Sequence, residues 1–194
     1  MFYILTINRE YGSGGRFIGK IVAEKLGIPY YDKELIAKTA QKSGFTEEFI
    51  NEISEKKTTS LLYSLYMTSI PVSDQLFIAQ SQVINDIAKE GSAVIVGGCA
   101  DFVLQNHPKC FNVFIHAPLE ERIRRVKDEY NEAVGDIRSY ILKKDKKRMS
   151  YYNYFTQFKW ANATNYNLSI NSSIGVEDTA EIIVAALKSF IKKT

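Results

Sequence analysis

Cysteine is nearly absent from this 194-residue chain: Cys99 and Cys110 are the only two, each in or beside an apolar run. Two cysteines do not make the disulfide framework of a small secreted domain, so they read as buried thiols. Histidine is as scarce. His107 and His116 have no cysteine or acidic partner at ligand spacing, so neither is assigned a metal or catalytic role. Long apolar runs are also missing. The opening run at residues 1–5 meets Asn8-Arg9-Glu10, which makes it too short for a secretion signal, and no later stretch reaches the roughly 20 residues of a membrane span. A soluble, cytoplasmic protein with no membrane partner is expected. Nor is there a large excess of one charge: 25 Lys and Arg against 22 Asp and Glu leave +3, which does not call for nucleic acid as a partner. Repeats and low-complexity segments are lacking too.

What is present is an ordinary globular mixture, 45% apolar and 24% charged, expected to form a single domain over residues 1–194. Residues 2–7 read as a buried strand. The turn Gly12-Ser13-Gly14-Gly15 follows, and Ile18, Ile21, Val22 and Leu26 then recur at helical spacing until Gly27 and Pro29 stop the helix. Residues 28–31 suggest a short strand ending at Asp32. Helical periodicity dominates residues 33–89, and Leu76, Val83, Ile84 and Ile87 place a helix that ends at Gly91. Residues 92–96 and 110–116 read as strands, 119 to about 132 as a charged helix, 168–170 as a last strand, and Ile182, Ile183, Ala186, Leu187 and Phe190 as an amphipathic closing helix. Strands alternating with helices predict a three-layer α/β/α domain on a parallel sheet. Residues 33–91, longer than a normal crossover, predict a helical lobe over the sheet edge.

A strand running through glycines into a helix can aim backbone N–H groups and a helix N-terminus at one point, and a Cβ would block the close approach of a phosphate. Gly12, Ser13, Gly14 and Gly15 are therefore the candidate phosphate cradle. The literal G-x-x-x-x-G-K match from Gly14 to Lys20 misleads, because it puts Lys20 inside the helix, away from its apolar stripe. With the loop set at the strand–helix junction, Gly15 stands where a phosphate-gripping lysine is usual, and Arg16 where a magnesium-binding hydroxyl is usual. Asp32 has the place of a ribose-binding acid in a dinucleotide fold, but Phe17 occupies the third glycine position of that fingerprint.

These residues resemble the cytidylate kinase-like family, relatives of the bacterial cytidylate kinases. The resemblance rests on Gly12-Ser13-Gly14-Gly15 with residues 4–7 and 23–32, on Val94-Ile95-Val96-Gly97-Gly98, and on residues 113–122. Asp145-Lys146-Lys147-Arg148, Tyr151-Tyr152 and residues 167–171 continue it in the same order. It implies a P-loop nucleoside monophosphate kinase fold with a helical insertion lobe and a lid spanning about 119–160. The implied reaction moves the γ-phosphoryl of ATP to CMP or a related monophosphate, with Mg²⁺. Phosphoryl transfer asks chiefly for positioning and positive charge, which the planar fork of arginine supplies. The resemblance implies Arg16, Arg122 and Arg148 as catalytic residues and residues 12–16 as phosphate-binding. It implies Asp32, Asp101, Arg125 and Asp145 as substrate-binding; no residue is assigned as a metal ligand.

Three departures from the family pattern favour an alternative, a protein that binds nucleotide without turning it over. Gly15 replaces the lysine, Gly98 replaces an arginine, and no carboxylate ends the strand at Val96, where Asp101 is nearest. Arg16 reaching back over the phosphates is the expected substitute for the lysine. Tyr151, Tyr152, Tyr154, Phe155 and Trp160 beside the basic run 143–148 are expected to pack the base of the lid, with the lysines facing water, in preference to stacking RNA. Leu61, Leu62, Tyr63, Leu65, Tyr66 and Met67 form either lobe core or a homodimer surface.

Overall fold

The computed structural model describes residues 2–32, 71–130 and 135–193, together with a few positions between 35 and 44. Five parallel strands, β1 (Ile4–Arg9), β2 (Tyr30–Tyr31), β3 (Ala93–Val96), β4 (Cys110–His116) and β5 (Leu168–Asn171), form one sheet in the order β2-β3-β1-β4-β5. β1 is central: Ile4 registers with Ala93 on one side and with Cys110 on the other. The expected α/β architecture is therefore present, with β1 running two residues further than its apolar stretch and ending on Arg9.

Alternation along the strands sends side chains to two separate cores. Leu5, Ile7, Val94, Val96, Val113 and Ile115 face helices α1 (Gly15–Leu26) and α6 (Val176–Ile191), which contribute Ile18, Val22, Ile183 and Leu187. Ile4, Ala93, Ile95 and Cys110 face the opposite layer, where α2 (Val72–Glu90) brings Val83, Ile84 and Ile87 and the short α3 (Ala100–Val103) brings Ala100. Strands buried on both faces explain the near-continuous apolar runs in the sequence. The C-terminal half of α2, within the stretch 33–91 expected to form a helical lobe, packs on the sheet through Val83, Ile84 and Ile87. The apolar cluster at residues 61–67 lies outside the described residues.

Helix α4 (Leu119–Glu129) and the long α5 (Ile137–Thr156) follow β4 and pack on each other through Ile123, Val126, Ile137 and Ile141. Tyr11, one residue before the glycine turn, inserts between them, with its ring edge-on to those of Tyr130 and Tyr140. Two tyrosine edges on one ring and a shared apolar cluster fix the start of the turn against the helix pair. No helix among the described residues is long and apolar enough to cross a membrane. Both cysteines are buried free thiols, as their apolar surroundings suggest, and burial pushes the Cys110 thiol up to about 12.

Candidate phosphate-binding and active site

The glycine turn sits at the C-terminal end of β1, where ligands bind in open parallel sheets. Gly12 and Gly14 adopt φ values of 80° and 79°, the left-handed region where a Cβ is strained. Gly14 is the N-cap of α1, whose first turn carries no acidic side chain to repel an incoming anion from the helix N-terminus.

Three consecutive carbonyls of the turn are held from behind. Arg122 Nη1 donates to the Tyr11 oxygen at 3.2 Å, Arg125 Nη1 to that of Gly12 at 2.9 Å, and Ser172 Oγ to that of Ser13 at 2.7 Å. Tying the carbonyls back fixes the peptide planes that carry the N–H groups, which is what a preformed anion nest needs. The approach is close: an added Cβ on Gly12 would lie 2.9 Å from the Arg122 backbone oxygen.

The expected site residues are thereby divided between the two sides of the turn. Arg122 and Arg125 are buried against the back of the turn, and neither is among the residues that line the cleft in front of it. Asp145 is likewise behind: Oδ1 accepts from the Tyr11 N–H at 2.7 Å, and Oδ2 accepts from Arg122 Nη1. Each of the three is thus engaged with a loop carbonyl, a loop N–H or a buried partner at the turn. Asp101 is also withdrawn. Burial raises its pKa, Tyr152 Oη donates to its carboxylate at 2.7 Å, and Tyr152, rather than Asp101, lines the cleft.

The cleft in front has a volume of about 160 Å³ and is bounded by the turn side of α1, the end of β3 and one face of α5. Of the expected site residues it contains Arg16, Asp32 and Arg148. Arg16 Nε lies 2.8 Å from Asp32 Oδ2, and Arg9 Nη2 lies 3.7 Å from Asp32 Oδ1. Arg148 spans Tyr11, its guanidinium carbon 5.2 Å from the ring centroid. Burial first, and then the neighbouring Arg9 charge, push Arg148 down to about 9. Arg9 is shifted down by the same first cause. Cations crowded in a low-dielectric place favour binding of an anion.

Arg9, Lys144 and Lys147 line the cleft too but are absent from the expected site. The lysines were expected to face water. Positions 144, 147, 148 and 151 instead form one stripe of α5 at i, i+3, i+4 and i+7, while Ile141, Asp145 and Tyr152 form the adjoining inward stripe. The signal for Arg9 is its location, a charged residue ending a buried strand directly before a glycine turn. Of the five aromatics expected to pack, Tyr151, Tyr152, Phe155 and Trp160 do so, whereas Tyr154 is exposed. Phe77 stacks on Phe155 at 4.4 Å, Tyr151 Oη donates to Gln80, and the Trp160 indole N–H donates to Asn8 Oδ1 at 3.1 Å. Gly98 has φ 65°, where a side chain is strained, and a Cβ there would crowd the Leu35 side chain at 3.0 Å, which disfavours the arginine of the kinase pattern at this position.

Comparisons with known proteins agree with this geometry. In a structure of an uncharacterized protein from Eubacterium ventriosum, 25% identical, the match covers 96% of this chain and 99% of that one with a TM-score of 0.71. A shikimate kinase from Bacteroides thetaiotaomicron, 14% identical, matches over 97% of this chain and 99% of its own with a TM-score of 0.61, a likeness of fold. A cytidylate kinase of Archaeoglobus fulgidus is 28% identical over 188 residues, 95% of this chain and 94% of that protein. The model of the cytidylate kinase-like family matches residues 4–174, and the chain belongs to that family.

Proposed function

We propose that this protein is a nucleoside monophosphate kinase that transfers the γ-phosphoryl group of ATP to CMP or a closely related monophosphate. The observation that carries the reading is the convergence of Arg9, Arg16 and Arg148 where the glycine turn opens into the cleft. Donor and acceptor phosphates must meet at such a junction, and charge spread over the equatorial oxygens of the transferring group needs cations there. On this reading the amides of residues 12–16 hold the donor phosphates. Arg16 and Arg148 face the transferring group, and Asp32, with Lys144 and Lys147, borders the acceptor. Arg122, Arg125 and Asp145 keep the turn in its anion-binding shape. The relative named cytidylate kinase supports the choice of CMP.

Kinases of this kind use ATP with Mg²⁺, which screens phosphate charge when bound. The described residues do not form a site for it. No group of three histidine, cysteine or acidic side chains comes together among them, and Asp32, the one carboxylate lining the cleft, is engaged by Arg16 and Arg9. The steps assigned to this chain are therefore those of its arginines.

The deciding experiment offers a panel of nucleoside monophosphates with ATP and Mg²⁺ and follows ADP release, with CMP expected to give the highest kcat/KM. The absence of a lysine at Gly15 favours a second reading, nucleotide binding without turnover. That reading stands if no monophosphate supports ADP release while ATP still raises the melting temperature. Gly14→Val should abolish ATP binding and leave the circular dichroism spectrum unchanged; retained binding removes the turn from the site.

A further inference from the structure

Gly15 is a glycine because another side chain occupies the space above it. An added Cβ there would lie 2.8 Å from both Cβ and Cγ of Arg9. These are the base of the arginine side chain rather than its flexible tip, so no local rotation of the guanidinium relieves the contact. From Gly15 the side chain runs on to the end of β3, where an added Cβ on Gly97 would lie 2.4 Å from Arg9 Nη1. Arg9 thus passes between two glycines. It borders both the cleft and the small cavity of about 20 Å³ at the turn, which Tyr11, Gly12 and Gly15 also line.

We infer that Arg9, from the end of β1, supplies the cation that phosphate loops ordinarily take from a lysine at the position of Gly15. The inference rests on the reading of the turn as a phosphate cradle. The backbone of Arg9 is fixed, because Arg148 donates to its carbonyl oxygen at 3.2 Å. Its Nε is buried without a hydrogen-bond partner, and its contact with Asp32 at 3.7 Å is too long for a hydrogen bond. A buried cationic donor lacking a partner is costly, and phosphate oxygens at the turn would provide one. Arg16, the substitute expected from sequence, is less well placed: its side chain is 50% exposed and already meets Asp32 at hydrogen-bond distance. A lysine at 15 and an arginine at 9 would compete for one volume, so each excludes the other.

The test titrates the full chain with inorganic tripolyphosphate and with ATP, alongside unliganded melting temperatures. Losing one such donor typically costs about 10²–10³-fold in rate, and R9Q and R9M are expected to lose affinity for both ligands by about 10²-fold. R16Q should lose less than tenfold. G15K alone should bind poorly, whereas the double variant R9A/G15K, with the cation moved to the loop, should recover at least tenfold of the R9A loss. R9Q is shorter and neutral but keeps a polar amide with two N–H donors, so it reads the loss of the guanidinium charge even if R9M is poorly folded. Wild-type affinity in R9Q, or no recovery in R9A/G15K, overturns the role of Arg9 and leaves the cradle in place. A wild-type chain that binds neither ligand overturns the cradle reading and the role of Arg9 with it.

Discussion

Arg148 donates from Nη1 to the backbone carbonyl of Arg9, so α5 and the end of β1 are joined across the mouth of the cleft by two arginines of like charge. Burial is the first cause that lowers the pKa of both; the Arg9 charge then disfavours charged Arg148, and the Arg16 charge disfavours charged Arg9. The unliganded fold therefore holds two positive groups at a cost that a bound anion would relieve. Sulfate or phosphate should raise the melting temperature more than chloride at equal ionic strength, and R148Q should lose much of that gain. Differential scanning fluorimetry at matched ionic strength reads this directly. Equal stabilisation by chloride would show that no anion site exists here.

The ion pair between Asp145 and Arg122 braces the turn from behind, and both side chains are largely buried. Asp145→Asn keeps an oxygen for the Tyr11 N–H but removes the nearer and more buried of the two carboxylates on the Arg122 guanidinium, leaving Glu10 at 3.5 Å from its Nε. Breaking one side of a fully buried pair costs about 3–5 kcal/mol, and with Glu10 retained this is the upper range for the variant. At about 2–4 °C per kcal/mol for a chain of this size, the melting temperature should fall by up to roughly 20 °C. A parallel loss of ATP affinity, recovered as temperature is lowered, separates a positioning role from direct substrate contact.

The topology was legible because parallel strands buried on both faces leave continuous apolar runs, and because Gly27 and Gly91 mark helix ends. The glycine turn was legible because only glycine tolerates the backbone at positions 12 and 14. The division of labour among the arginines was not. In a linear sequence Arg122 and Arg125 on a charged helix look the same whether they face a ligand or a loop carbonyl. Only the packing of α4 behind Tyr11 and Gly12 decides which. Lys144 and Lys147 were hidden for a related reason: α5 has a narrow inward stripe, and its cleft-facing stripe is itself charged. Arg9 was obscured because the volume it fills is defined by Gly15 and Gly97, far apart in sequence.

Asp101 provides a pH test. Burial raises its folded pKa above the ordinary 3.8, against the lowering effect of its hydrogen bonds from Tyr152 and the backbone. Between 3.8 and the raised value the folded state holds more protons than the unfolded state, so stability falls as pH rises through that window. Each unit of upward shift corresponds to about 1.4 kcal/mol. Asp101→Asn removes the titration while keeping an oxygen for Tyr152. Its stability relative to the wild type should therefore increase as pH is raised from 3.5 to 7. Urea midpoints for both proteins across that range check it, and a constant difference would mean that Asp101 titrates with the same pKa folded and unfolded, so that its burial carries no cost.

Trp160 is the sole tryptophan, and it reports on the acceptor side without any label. Its indole N–H is bonded to Asn8 Oδ1, its ring meets Phe114 edge-on at 5.4 Å, and it lines the cleft beside Tyr151 and Tyr152. A nucleotide base entering the cleft would alter the polarity around the indole, whereas a ligand confined to the glycine turn would not reach it. Titration with CMP should therefore change the emission intensity or maximum in a saturable way, and tripolyphosphate should leave both nearly unchanged. Comparing CMP, UMP, AMP and GMP then ranks acceptors by affinity independently of turnover. A signal that follows tripolyphosphate instead of the monophosphates would mean that the acceptor does not bind in this cleft, and the assignment of Asp32, Lys144 and Lys147 to its border would fall with it.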